Sequence, residues 1–152
     1  MLFVYRGLLR LFAKSFSLSI SGAFAAFGKN TVLMPPIRIW GERRIGIGAR
    51  VFLGPGCCLS VLPDGDNRSV GISIADGTSI AGSCVISAVR EVRLEEDVLL
   101  ARNVYISDHS HRYSLTDRPI KDQGVDKVRP VLIKRGAWLG QRRRSDRRRA
   151  RF

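Results

Sequence analysis

The sequence predicts an all-β fold of short parallel strands wound into stacked triangular coils, and three observations carry that expectation. An aliphatic residue recurs every six positions, a small residue often follows it, and turns interrupt the chain too often for strands of ordinary length. A period of six fits neither an amphipathic helix, with its period of 3.6, nor a simple hairpin sheet. Three units of six make one coil of about 18 residues, and coils stacked roughly 4.8 Å apart pair each strand with those above and below.

The first element, residues 1–28, reads as an amphipathic helix with a lead-in. Arg6, Arg10 and Lys14 follow one another at spacings of four, a basic stripe beside Leu2, Phe3, Leu8, Leu9, Leu11 and Phe12. Such a helix can lie on an anionic membrane surface, or it can cap one end of the core. A third reading takes the charged start, the apolar stretch Phe16 to Phe24 and the small residues Ala23 to Ala25 as a signal-peptide outline, although Ser15, Ser17, Ser19 and Ser21 interrupt it. No stretch reaches the ~18 uninterrupted apolar residues of a spanning helix.

Residues 29–141 hold the repeat. Its clearest run is Ile47-Gly48, Leu53-Gly54 and Leu59, with Val51 and Cys57 at the second apolar position of the unit. A turn-rich interruption, Pro63 to Asn67, precedes Ile74, Ile80 and Ile86, each followed by Ala or Ser. The period then slips by two and continues through Leu94, Leu100 and Ile106, with Val98 and Val104 between them, before a last stretch at Ile133 and Leu139. A small residue beside the inward aliphatic permits a tight corner.

Length and composition indicate a single β domain in 152 residues, 45% of them apolar. The 26 Lys and Arg against 13 Asp and Glu suggest an anionic partner, but residues 141–152 alone hold seven of the basic side chains and one acidic. Cys57, Cys58 and Cys84 are odd in number and lack metal-ligand spacing, which points away from a disulfide framework and toward a reducing, cytoplasmic setting. Cys57 and Cys84 fall on apolar positions of the repeat and read as small hydrophobes. Asp64 with Asp66, and Glu95 with Glu96 and Asp97, read as solvated turns; no metal site is expected.

The stretch Val104-Tyr105-Ile106-Ser107-Asp108-His109-Ser110-His111 closes one unit and opens a charge-rich insertion, Arg112 to Pro130. Pro130-Val131-Leu132-Ile133 and Gly136-Ala137-Trp138-Leu139-Gly140 follow. Both histidines of the chain lie here, and imidazole is the side chain whose ordinary pKa sits nearest neutrality. A hydroxyl is a poor nucleophile until its proton is removed, which is work for such a base.

Over Ile39 to Gln141, the repeat, the histidine after an aliphatic strand, the loop and the Trp-aliphatic-Gly unit together resemble the hexapeptide-repeat acyltransferases, and within them the sugar and capsular-polysaccharide O-acetyltransferase branch. The resemblance implies a left-handed parallel β-helix with a short N-terminal helix and a loop insertion, an exception to the right-handed crossover rule. It also implies transfer of an acyl group from acetyl-CoA to a sugar or polysaccharide hydroxyl without an acyl-enzyme, in a homotrimer whose sites lie between neighbouring chains. His109 matches the general base, with backbone N–H groups stabilising the oxyanion. His111, Asp108 and Asn103 fall at acceptor-binding positions; Trp138, Gly140 and Gln141 fall where the family meets the coenzyme. In a continuing strand Asp108 would face away from His109, so anchoring a turn or loop is expected of it rather than orienting the histidine. Two blander roles stay open, His109 as an ordinary loop residue and Trp138 as a corner aromatic.

Members of that family continue past the Trp-aliphatic-Gly unit with more aliphatic repeats, whereas here an arginine-rich segment, 142–152, begins in mid-repeat. The expectation is a shifted reading frame that removes the C-terminal coils and leaves a sheet edge uncovered. Activity of the chain as written is then in question, and nucleic acid is not an expected partner. The alternative is a basic arm on a non-catalytic β-helix protein that binds polyanions. Localisation is expected to be cytoplasmic, with contact at the inner face of the membrane through the N-terminal helix.

Overall fold

The computed structural model describes residues 1–63 and 69–141 in full, together with the backbone of residues 144–145. Most of the expected arginine-rich segment, and Asp64 and Asp66, lie outside the described residues. An N-terminal helix, α1 (Leu2–Ile20), leads into five coils of strands. The first holds β1 (Ala26–Phe27), β2 (Val32–Leu33) and β3 (Arg38–Trp40); the second holds β4 (Ile45–Ile47), β5 (Phe52–Leu53) and β6 (Cys58–Val61). The third is β7 (Ile72–Ile74), β8 (Ser79–Ile80) and β9 (Val85–Ala88), and the fourth is β10 (Val92–Leu94), β11 (Leu99–Leu100) and β12 (Tyr105–Ser107). A hairpin, β13 (Ser110–His111) with β14 (Val125–Asp126), precedes the fifth coil of β15 (Val131–Ile133), β16 (Trp138–Leu139) and β17 (Arg144–Ser145).

Each coil contributes one strand to each of three five-stranded sheets, and the ladders within these sheets are parallel throughout, as in a parallel β-helix. Register stacks the repeat aliphatics in columns. Ile47, Ile74, Leu94 and Ile133 are successive partners in the first sheet. Leu33, Leu53, Ile80, Leu100 and Leu139 follow one another in the second, and Ile39, Leu59, Ile86 and Ile106 in the third. Most of these side chains are at most 1% exposed, and burial of each stabilises the stack by about 2 kcal/mol. The period of six is therefore the distance from one inward position to the next across a corner. Cys57 and Cys84 occupy the same core as free thiols, and their shared hydrogen bond and burial push the Cys57 thiol up.

Strands begin earlier and run later than the boundaries at 29 and 141. Phe27, Leu33 and Ile39 form a complete first coil, and the backbone of Arg144–Ser145 extends the third sheet, with Ser145 opposite Ile106. The helix takes the capping role. Ala13 and Ser17 are buried, Phe16 and Ile20 pack on the core, and Ser17 Oγ accepts the Leu33 N–H at 2.8 Å. That N–H belongs to the uncovered edge of β2, so the helix side chain satisfies a donor that no preceding coil can.

The corners differ. At the corner after the first sheet, Asn30, Arg50, Gly77, Asp97 and Gly136 all have φ in the left-handed region, from 55° to 72°. At the corner after the second, Gly56, Ser83 and Asn103 do the same. Close approach matters as well: a Cβ on Gly54 would overlap the Ala81 carbonyl oxygen in the coil above. The corner after the third sheet is irregular. It holds a 3-10 turn at Glu42–Arg44, residues 62–63 and 69–71, a bend at residues 89–90, and the hairpin insertion. The slip of two between Ile86 and Leu94 is this corner, and Ile39 to Ile47 shows the same spacing of eight.

Candidate active site

Two buried charges clip successive coils together at the third corner. Arg44, 7% exposed, donates from Nε to the Ser69 carbonyl at 2.9 Å, from Nη1 to that of Leu62 at 3.2 Å and from Nη2 to that of Val89 at 3.4 Å. Three coils further on, Asp108 is 2% exposed and its carboxylate accepts the N–H groups of Val89, Arg90 and Glu91 at 2.9, 2.7 and 2.8 Å. Irregular backbone cannot satisfy its own polar groups through a ladder, so buried side chains supply the partners.

Asp108 does more than anchor that bend. Its Oδ1 lies 2.8 Å from His109 Nδ1, which corrects the expectation that the two side chains point apart. β12 ends at Ser107, the alternation of a strand ends with it, and adjacent residues can then converge. Burial pushes the Asp108 carboxyl up, but the hydrogen bonds from His109 and from the three backbone N–H groups outweigh it and hold the group below the usual carboxylate range. An ionised Asp108 places the ring proton on Nδ1, because that nitrogen must donate to it. In the neutral ring the lone pair then belongs to Nε2, which has no hydrogen-bond partner among the described residues. Ser107 braces the same segment, its Oγ 3.2 Å from His109 Nδ1 and donating to the His109 carbonyl at 2.9 Å. The His109 side chain itself is 7% exposed. The arrangement can hold an imidazole in one tautomer and offer a basic nitrogen at the root of a loop.

The other expected residues are spread more widely. His111 is exposed on the hairpin, in β13, and makes no hydrogen bond to His109. Asp108, expected at the acceptor, is enclosed, and its carboxylate is occupied by the four contacts just described. Asn103 is exposed at the second corner with φ 60°, the position of Gly56 and Ser83 in earlier coils; asparagine tolerates that conformation, which accounts for the residue without a ligand. Trp138 is 66% exposed on the outer face of the second sheet, beside Leu99, and is not the buried corner aromatic. Gly140 follows Leu139 as Gly54, Ala81 and Ala101 follow their inward aliphatics, and Gln141 is an exposed turn residue next to it. A Cβ on Gly140 would meet only Trp138, at 3.9 Å, among the described residues.

Sequence reasoning missed Arg44, which nothing distinguishes from Arg43 in the sequence, and Ser107, whose signal is its place two residues before the histidine. The insertion has no pattern in the sequence but is structured in the fold. Gln123 organises that segment, donating from Nε2 to the Leu115 and Arg118 carbonyls at 2.8 and 3.0 Å and accepting the Leu115 N–H at 3.0 Å. Two shallow hollows, one between Arg50, Asp76, Glu96 and Arg135 and one between Glu91, Arg93, Pro130 and Leu132, are not lined by His109. Among the described residues no group of three or more His, Cys, Asp or Glu could hold a metal ion, and no helix is long and apolar enough to cross a membrane.

Stacked parallel coils and a buried Asp–His pair at the base of a loop describe a class of β-helical protein with one candidate base. The chain is also similar to a particular protein, named "Probable acetyltransferase" in Mycobacterium tuberculosis, with 29% identity over 107 residues. That match covers 59% of this chain and 35% of the relative, so the chain spans about a third of that protein's length. No family model matches, and no solved structure matches.

Proposed function

We propose that the chain is an acyltransferase of the hexapeptide-repeat type, with a left-handed coil, that moves an acetyl group from acetyl-CoA to a sugar or polysaccharide hydroxyl. The observation that carries the reading is the contact between Asp108 and His109, which fixes the imidazole with Nε2 as the basic nitrogen. The relative's name and the parallel sheets support the same class. His109 takes the acceptor's proton as the hydroxyl attacks the thioester carbonyl, and the C–S bond then breaks as the imidazolium returns that proton to the departing thiolate. Asp108 stabilises the imidazolium that forms, and Ser107 keeps the segment in place. His111, on the hairpin beside this site, contacts the acceptor.

Trp138, Gly140 and Gln141 are the residues that would meet the coenzyme, which supplies an activated acyl group when bound. The exposed indole offers an apolar face, and the room at Gly140 admits a ligand close to the backbone. Trp138 lies on the second sheet while His109 follows the third, an arrangement that suits a site completed by a neighbouring chain in a homotrimer. Release of free thiol from acetyl-CoA, dependent on an added sugar acceptor and lost in His109→Ala, tests the proposal. Acceptor-dependent release at an unchanged rate in that variant would remove His109 as the base.

A further inference from the structure

We infer that the outward face of the N-terminal helix is a docking surface for an anionic lipid bilayer, which α1 enters lengthwise from the side without crossing it. The helix presents two faces at helical spacing. Ala13, Phe16, Ser17 and Ile20, at i, i+3, i+4 and i+7, turn toward the core. Val4, Leu8, Leu11, Ser15 and Leu18 lie on the opposite side, and the four aliphatics among them are 66%, 60%, 64% and 73% exposed. Phe12, 60% exposed, widens that apolar strip. A helix whose buried contacts end on one side and whose other side is this apolar is not finished by its own chain.

The charges decide what covers it. Arg6, Arg10 and Lys14 are all exposed, and Arg10 and Lys14 lie along one flank, between the core face and the apolar face, where long side chains can reach a headgroup while the stems lie on hydrocarbon. The helix has no carboxylate, and the first acidic residue of the chain is Glu42. Packing this face against a second copy would bring like charges together with nothing on either helix to neutralise them. A layer of anionic headgroups with hydrocarbon beneath matches both the flank and the face. The hydroxyl of Ser19 is already bonded to the Phe16 carbonyl at 2.8 Å and that of Ser21 to the Leu18 carbonyl at 2.8 Å, so neither needs water.

The test is co-sedimentation of the full chain with vesicles of phosphatidylcholine alone or mixed with phosphatidylglycerol. Binding is expected to the mixed vesicles, weakening as salt is raised. Leu8→Asp with Leu11→Asp, both on exposed positions, should lower the apparent affinity roughly tenfold while the β-sheet circular dichroism stays unchanged. Because the arginines of residues 142–152 could tether the chain by charge alone, a Leu11→Trp variant is read with brominated lipids. Its fluorescence should be quenched well beyond that of the native chain, which carries Trp40 and Trp138. Absence of binding to anionic vesicles, or binding without extra quenching at position 11, would overturn the inference. So would a double aspartate variant that still binds vesicles normally but sediments as a smaller oligomer, since the face would then belong to a second copy of the chain.

Discussion

At the corner after the first sheet each coil turns through a residue in the left-handed region, Asn30, Arg50, Gly77, Asp97 or Gly136; at the corner after the third sheet no two coils turn alike. The regular corners are held by steric fit, as at Gly54, where the carbonyl of Ala81 leaves no room for a side chain. The irregular corner is held by buried charge, with Arg44 gathering carbonyls and Asp108 gathering N–H groups. Sterics specify a repeat. Charge at an irregular bend satisfies the backbone and leaves room for another side chain beside it, which is where His109 stands.

The contrast can be broken most sharply at Gly54. Gly54→Val should cost about 3 kcal/mol or more, since the atom it would strike is backbone and cannot swing away, and a urea titration reads the change. An unshifted midpoint would show that small residues at the regular corners are not a steric requirement. Next in size, His109→Ala should lower turnover about a hundredfold with nearly unchanged thermal stability, the reverse of the glycine variant. Equal loss of stability and rate would make the histidine a structural member of its corner. Between these lies Asp108→Asn, whose amide hydrogens would face N–H donors. About 1–3 kcal/mol of stability should be lost together with turnover, while an effect on acceptor KM alone would return the residue to a binding role.

Acid should act at the same place. The folded Asp108 pKa is held below its unfolded value, so its contribution is complete above the unfolded carboxylate value of about 3.9 and is lost as pH falls through the depressed folded value. Melting temperature should therefore fall less with acid in Asp108→Asn than in the native chain, and parallel profiles would take Asp108 out of the acid response. The smallest effect is expected at His111→Ala, an exposed hairpin residue: a modest rise in acceptor KM at constant turnover, measured by varying acceptor at saturating acetyl-CoA. A collapse of turnover there would move the chemistry onto the hairpin.

The regular corners were legible and the irregular one was not. Ile47, Leu53, Leu59, Ile74 and their successors declare themselves because every sixth residue meets the same core. The boundary at 29 takes in Leu33 and Ile39 of the first coil but not Phe27, since an aromatic, a Met-Pro-Pro run and an exposed tryptophan hide the aliphatic-small signature there. His109 could be singled out as one of two histidines beside a loop, yet its partner could not. Strand alternation sets Asp108 and His109 on opposite faces, and the strand ends at Ser107, before either of them. The left-handed φ of Asn103 belongs to its corner, and position in the sequence does not reveal it.

A stack of identical coils behaves as a ruler on which an error in spacing, once made, is carried to every later mark. Losing one residue at a regular corner would turn the following aliphatics outward and their neighbours in, coil after coil. The third corner interrupts that inheritance. Spacings of eight, of fifteen between Leu59 and Ile74 and of twenty-seven between Ile106 and Ile133 all return the chain to the same inward column. Length can be gained or shed there without disturbing the count, so the segment that follows His109 is the part of this protein freest to be rewritten while the strand that delivers the histidine stays where it is.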